Sequence, residues 1–241
     1  MKLALFWVLA GALAAAAAVV VAAPAEIAAA AAEPAKEAGG LPLLFHEDFK
    51  DADRAMARFE FLDPKAWKVA KDGERNVLSL FEKAKVEPPV RSPYGRALVR
   101  DLWVGPFVME VRLKSTVKDY PHRDLCLFWG AVDDRHEYYA HLGKAPDPNC
   151  HNLFLVDNAA RRNLLPVQKK GIDWDDDYHT ARVVRAEDGT TEVLLDGKSI
   201  MQVKDNTLGA GRVGFGSFDD LGNFAEVTVW GKKAEKPAAA K

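Results

Sequence analysis

The stretch HEYYAHLG, residues 136 to 143, sets two histidines, two tyrosines and a glutamate side by side in a β-rich context. Along an extended strand successive side chains point to opposite faces, so His136, Tyr138, Ala140 and Leu142 share one face and Glu137, Tyr139 and His141 the other. The second set is polar and belongs on the outer face of a sheet whose other face covers a core. Imidazole titrates near neutral pH, which suits His141 to general acid or base chemistry, with Glu137 or Asp124 as its partner carboxylate. Hydrolysis of a glycosidic bond uses two such carboxyl groups, one on either side of the bond.

Asp124 lies in the preceding run RDLCLFWG, joined to HEYYAHLG by the short connection AVDDR, which predicts a hairpin. Either Arg123, Leu125 and Leu127 or Asp124, Cys126 and Phe128 share a face with His141, and a one-residue register decides between them. The next strand, NLFLV, is flanked by His151, Asn152, Arg161 and Arg162. Aromatic rings stack on pyranose faces, and planar polar groups take paired hydroxyls or carboxylates. In that reading Tyr139 stacks on a sugar ring, His141, His151 and Asn152 hydrogen-bond hydroxyls, and Arg123 or Arg161 meets an anionic group. The plainer reading of the same residues is a polar outer face whose side chains satisfy one another.

Two acidic groups invite a metal reading. Glu47, Asp48 and Glu226 come from the terminal strands, which lie side by side in many sandwiches, and their oxygens suit a structural calcium ion. The run Asp175, Asp176, Asp177 reads instead as a solvated loop, because three consecutive acids cannot all point inward, and His179 after it reads as structural. No cofactor motif is present: there is no Gly-x-Ser-x-Gly, His-Glu-x-x-His, Cys-x-x-Cys or phosphate-cradling loop.

The elements that position these residues are strands. FVMEVRLK alternates Phe107, Met109, Val111 and Leu113 against Glu110, Arg112 and Lys114, the pattern of a half-buried antiparallel strand. Two Asp-Gly pairs, at 188–189 and 196–197, predict a three-stranded meander over 180 to 203. Further strands are expected at 43–49, 77–82, 94–100, 123–130, 136–142, 152–156, 211–217 and 224–230, with one short helix near 54–58. So many short strands with regular turns predict an all-β, two-sheet antiparallel β-sandwich.

The chain of 241 residues opens with Lys2 and an apolar run from Leu3 to about Ala23, followed by small residues around Pro24. This is the pattern of a signal peptide over residues 1–25, or of an N-terminal anchor if cleavage fails, and either places the rest outside the cytoplasm, in the periplasm, envelope or medium. Residues 26–40 read as an Ala/Pro/Glu linker, 41–231 as the folded domain and 232–241 as a tail. With a formal net charge of −2 and no basic stripe, nucleic acid is not an expected partner, and contact with a membrane is expected only through an uncleaved N-terminus. Cys126 and Cys150 are an even pair that an oxidising compartment can bridge, while Cys126 within an apolar strand also suits a free, packed thiol.

The runs SPYGRALVRDL, FVMEVRLK, RDLCLFWG, HEYYAHLG, HNLFLV, HTARVVR, VLLDGK and GRVGFGSFDDLGNFAEVTVWG, taken in order, resemble secreted bacterial concanavalin A-like jelly-roll domains of the laminin-G-like and 3-keto-disaccharide hydrolase-like types. The resemblance covers residues 43 to 230 and implies a jelly roll with a concave face that meets a poly- or oligosaccharide. That fold hosts lectins, hydrolases and lyases alike. The glucanases of this fold carry Glu-x-Asp-x-x-Glu on one strand, which is absent here. Its alginate lyases use Gln-x-His, where this chain has Tyr139-x-His141. Three readings follow: a glycan-binding module, a glycoside hydrolase or polysaccharide lyase with His141 as acid or base, and a non-catalytic envelope adhesion or scaffold domain.

Overall fold

Alternating apolar and polar residues bury one face of each strand, and two sheets packed face to face are how this chain satisfies that pattern. The computed structural model describes residues 33 to 237. The apolar run at 3–23, with the signal or anchor reading made on it, lies outside the described residues. Among those described, no helix is long and apolar enough to cross a membrane.

In chain order the strands are β1 (Glu37–Ala38), β2 (Leu41–Glu47), β3 (Phe59–Phe61), β4 (Trp67–Asp72), β5 (Arg75–Leu80), β6 (Gly95–Val99), β7 (Val104–Ser115) and β8 (Asp124–Asp133). They continue with β9 (His136–Gly143), β10 (Asn152–Asp157), β11 (Arg162–Asn163), β12 (His179–Arg185), β13 (Thr190–Leu195), β14 (Lys198–Lys204), β15 (Arg212–Ser217) and β16 (Gly222–Lys233). One sheet runs β1-β2-β16-β7-β12-β13-β14, with β5 also paired to β16 and β4 to β5. The other runs β11-β10-β9-β8-β15-β6-β3, and all pairings are antiparallel. The protein is a two-sheet β-sandwich of the jelly-roll type.

Met109, Val111 and Leu113 of β7 meet Leu125, Leu127 and Trp129 of β8, Tyr138, Ala140 and Leu142 of β9, and Phe215 of β15 in the core between the sheets. Glu110, Arg112 and Lys114 point away from it, as the alternation requires. The β13–β14 hairpin turns at Asp196 (φ 49°) and Gly197 (φ 75°). Two consecutive positive φ values match the right-handed strand twist, which is why Asp-Gly is found there. The short helix is α1 (Ala52–Ala57), capped by the Asp51 carboxylate accepting from the Arg54 N–H at 3.1 Å.

Strand pairing extends past both ends of the 41–231 span. Part of the 26–40 linker is folded: Glu37 and Ala38 pair with Pro42 and Leu41, and Trp230 Nε1 donates to the Ala35 carbonyl at 2.6 Å. Lys232 and Lys233 belong to β16 rather than to a tail. Backbone hydrogen bonds hold both segments, and composition carries no sign of them.

One loop matters for the site. Residues 81–94 leave β5 and cross the outer face of the seven-stranded sheet, where Val90 packs on apolar side chains and Tyr94 N–H donates to the Phe218 carbonyl at 2.8 Å.

Candidate functional site

The β8–β9 register pairs Cys126 with His141, Phe128 with Tyr139 and Asp124 with Gly143. Across β9, Asn152 pairs with His141 and Phe154 with Tyr139. Paired residues share a face, so Asp124, Cys126, Phe128, Glu137, Tyr139, His141, Asn152 and Phe154 all project from the outer face of the seven-stranded sheet. The register therefore selects Asp124 and not Arg123 as the neighbour of His141. Arg123 points the other way: it donates to the Ser115 hydroxyl and carbonyl at 3.0 Å and to the Asp175 carbonyl at 2.8 Å, tying the two sheets and a loop together. Its guanidinium is buried and spent on these partners.

This polar face is sealed. Tyr139 is 0% exposed, Glu137 1%, Asp124 2% and His141 4%. Its centre is Arg161, half-buried, whose guanidinium lies 4.4 Å from the Phe154 ring centroid and 4.3 Å from that of Phe218. Its Nη1 donates to Tyr139 Oη at 2.7 Å and lies 3.3 Å from His141 Nδ1, while Nη2 donates to the Asn149 carbonyl at 2.6 Å. His141 stacks on Phe218 with an interplanar angle of 7°. On its other side, His141 Nε2 lies 3.3 Å from Asp124 Oδ1.

Asp124 is held from several directions. Its Oδ1 accepts from Ser217 Oγ at 2.9 Å and the Phe218 N–H at 3.0 Å, with the Cys126 thiol 3.7 Å away. Burial opposes its charge, yet His141 and these donors hold its carboxyl below the usual range. Burial pushes the Tyr139 hydroxyl and the Cys126 thiol up. Nearby, Asp220 is raised to about 6, mainly by burial.

Several assignments change once the geometry is known. Tyr139 offers no ring face to solvent, because its ring stacks on Phe154 at 5.0 Å. The rings partly open to solvent here are Phe218 and Tyr94, in edge contact at 5.5 Å. Glu137 is bound to Arg96 at 2.6 Å, and burial nevertheless pushes its carboxyl up. It cannot partner Asp124 across a scissile bond: Gly143, opposite Asp124, is six residues from Glu137 along β9. That is about 20 Å of strand, against about 5–10 Å in glycosidase pairs. Asn152 is consumed as a loop staple, donating to the Leu165 carbonyl at 3.0 Å and accepting from the Leu165 N–H at 3.1 Å. His151 is buried, and burial with help from His141 lowers it to about 4.

The three carboxylates considered for calcium do not converge. Glu47 pairs with Val227 on the core-facing side and is taken by the Phe49 N–H at 2.9 Å and by Arg58, while Asp48 pairs with Lys50 at 2.5 Å. Glu226 projects to the opposite face, 3.8 Å from His46. The two cysteines are free and buried, and burial raises Cys150 to about 12.

The sequence reading missed Phe218, Arg96 and loop 81–94. Phe218 follows the alternating strand GRVGFGS, where the period breaks, so no spacing rule could place it.

No known family profile matches the chain, and no curated protein matches it. Solved structures do. The carbohydrate-binding module CBM66 from Bacillus subtilis matches with a TM-score of 0.52 and 16% identity, over 72% of this chain and 95% of that one. β-Agarase B from Zobellia galactanivorans matches at 0.54 and 11%, over 79% and 93%. An endo-β-1,3-glucanase from Pyrococcus furiosus matches at 0.51 and 11%, over 83% and 98%. At these identities the likeness establishes the shared sandwich fold.

Proposed function

We propose that this chain is an exported carbohydrate-binding protein that takes an acidic poly- or oligosaccharide at the mouth of its seven-stranded sheet. The observation that carries the reading is Arg161: a half-buried guanidinium clamped between Phe154 and Phe218, where the sealed polar face reaches solvent. A fixed guanidinium recognises a carboxylate or sulfate through paired N–H donors. Exposed Arg91 lies 5.9 Å from the Phe218 ring and supplies a second cation, and Phe218 and Tyr94 supply the ring surfaces that pyranose faces favour. The carbohydrate-active neighbours lend support at the level of fold, and the laminin-G-like or 3-keto-disaccharide hydrolase-like assignment stays within the proposal.

A second reading, in which the protein also cleaves the glycan, draws on the contact of Asp124 with His141 at 3.3 Å. In that reading His141 is the acid or base and the Asp124 carboxylate beside it is its support. For substrate to reach His141, Arg161 and Phe218 have to move aside.

The test is binding of the full chain to a panel of neutral and acidic polysaccharides, with product release measured in parallel for His141→Ala and Arg161→Ala. Binding to acidic glycans alone, lost in Arg161→Ala and kept in His141→Ala, is the expected result. Release that vanishes in His141→Ala makes the protein an enzyme as well. Equal binding by wild type and a folded Arg161→Ala overturns the site.

A further inference from the structure

We propose that Asp124, Cys126 and His141 form a transition-metal site of the zinc type, independent of whether the protein binds glycan. The β8–β9 pairing sets Cys126 directly opposite His141, and Asp124 lies two residues along β8 on the same face. One carboxylate oxygen, Sγ and one imidazole nitrogen lie within 4.8 Å of one another, and all three residues are buried.

The spacing is the first argument. Zinc bonds of about 2.0–2.2 Å to nitrogen and oxygen and about 2.3 Å to sulfur put neighbouring tetrahedral ligands about 3.4 Å apart for N/O and about 3.6 Å apart for S/O. Here Nε2 lies 3.3 Å from Asp124 Oδ1, and Sγ lies 3.7 Å from the same oxygen.

Orientation is the second. His141 Nε2 is fully buried and has no hydrogen-bond partner, although Asp124 Oδ1 is close enough to be one. The imidazole nitrogen therefore faces the thiol and the carboxylate without being spent on either. A buried imidazole nitrogen left without a partner is otherwise costly.

Charge and support agree. One thiolate and one carboxylate neutralise a divalent ion, and neutral imidazole completes three protein ligands, leaving one position for solvent or a ligand atom. Ser217 Oγ and the Phe218 N–H both donate to Oδ1 and so fix the carboxylate beside Sγ and Nε2. Metal on Nε2 leaves the imidazole proton on Nδ1, so Arg161 gives up its 3.3 Å contact there and keeps its shorter one to Tyr139 Oη at 2.7 Å. Metal uptake therefore loosens the residue that seals the face.

Titration of the metal-stripped full chain with Co²⁺, followed by Zn²⁺ competition, tests this. The expected result is one Co²⁺ per chain, displaced by Zn²⁺, with a thiolate-to-cobalt charge-transfer band. Cys126→Ser loses the band, Cys150→Ser keeps it, and His141→Gln weakens uptake at least tenfold. Zn²⁺ also raises the melting temperature of wild type and Cys150→Ser, which reads binding without the thiol spectrum. No stoichiometric uptake by the folded wild-type chain overturns the site, as does a band lost in Cys150→Ser and kept in Cys126→Ser. Metal uptake by a protein that binds no glycan leaves the site standing and removes only the carbohydrate reading.

Discussion

The outward faces of the two sheets carry similar residues and treat them in opposite ways. On the nine-stranded sheet, Glu110 meets Arg182, and Asp72 meets Lys114, Tyr178 and Asn223, with each group partly in water. On the seven-stranded sheet, Arg96 and Glu137 form a pair whose side chains are only 4% and 1% exposed, and Asp124, His141 and Tyr139 are as deeply buried beneath Arg161, Phe218 and loop 81–94. Ion pairs left in water contribute little and cost little, whereas sealed ones must be fully partnered or they destabilise the fold. The seven-stranded sheet thus buries a polar constellation of a kind that the other sheet leaves partly in water.

The largest expected effect lies at the buried pair. Arg96→Met leaves the Glu137 carboxyl buried without its cation, one of whose oxygens already has no partner. Loss of about 3–5 kcal/mol of unfolding free energy in urea at neutral pH is expected. The double variant Arg96→Met/Glu137→Leu should recover most of it, since apolar replacement of both partners removes the stranded charge. A double variant as unstable as the single one would show that Arg96 acts by packing rather than by charge.

This contrast also explains what was legible in sequence. Period-two alternation in FVMEVRLK and the two Asp-Gly turns yield the sandwich directly, because each is a local rule with a local cause. The same alternation put Glu137, Tyr139 and His141 on one face. It could not tell an open face from a sealed one, since sealing comes from Val90 and Phe218, which are distant in sequence and lie outside any strand period. Tyr139 therefore read as a sugar platform when it is an internal support. Arg123 and Asp124 differ by one position, and only the pairing of Cys126 with His141 decides between them.

An intermediate effect is expected at Asp72, on the more open sheet. Burial alone would raise its carboxyl, but hydrogen bonds from Lys114, Tyr178 and Asn223 outweigh it and hold the group at about 2. A carboxyl with a lowered pKa stabilises the fold above its unfolded value of about 3.9, and the contribution disappears as pH falls through about 2. Asp72→Asn should be less stable than wild type at neutral pH, and the gap should narrow between about pH 4 and pH 2. Acid titrations of the two proteins by circular dichroism check this, and a gap that stays constant to pH 2 would assign the loss to packing around Tyr178.

The smallest effect is expected at Arg182, which donates to Glu110 through Nε at 2.9 Å with its own side chain 43% exposed. Water and salt screen both charges, and ordering two long side chains offsets most of what their attraction supplies. Arg182→Ala should change the urea midpoint by no more than about 0.5 kcal/mol equivalent, and raising the salt concentration should erase even that. The pair sits at the directly opposed Glu110 and Arg182 positions of β7 and β12, where a cross-strand ion pair has its best geometry. A loss there as large as that of Arg96→Met would mean that exposure does not separate the two faces, and that the sealed constellation needs no functional explanation.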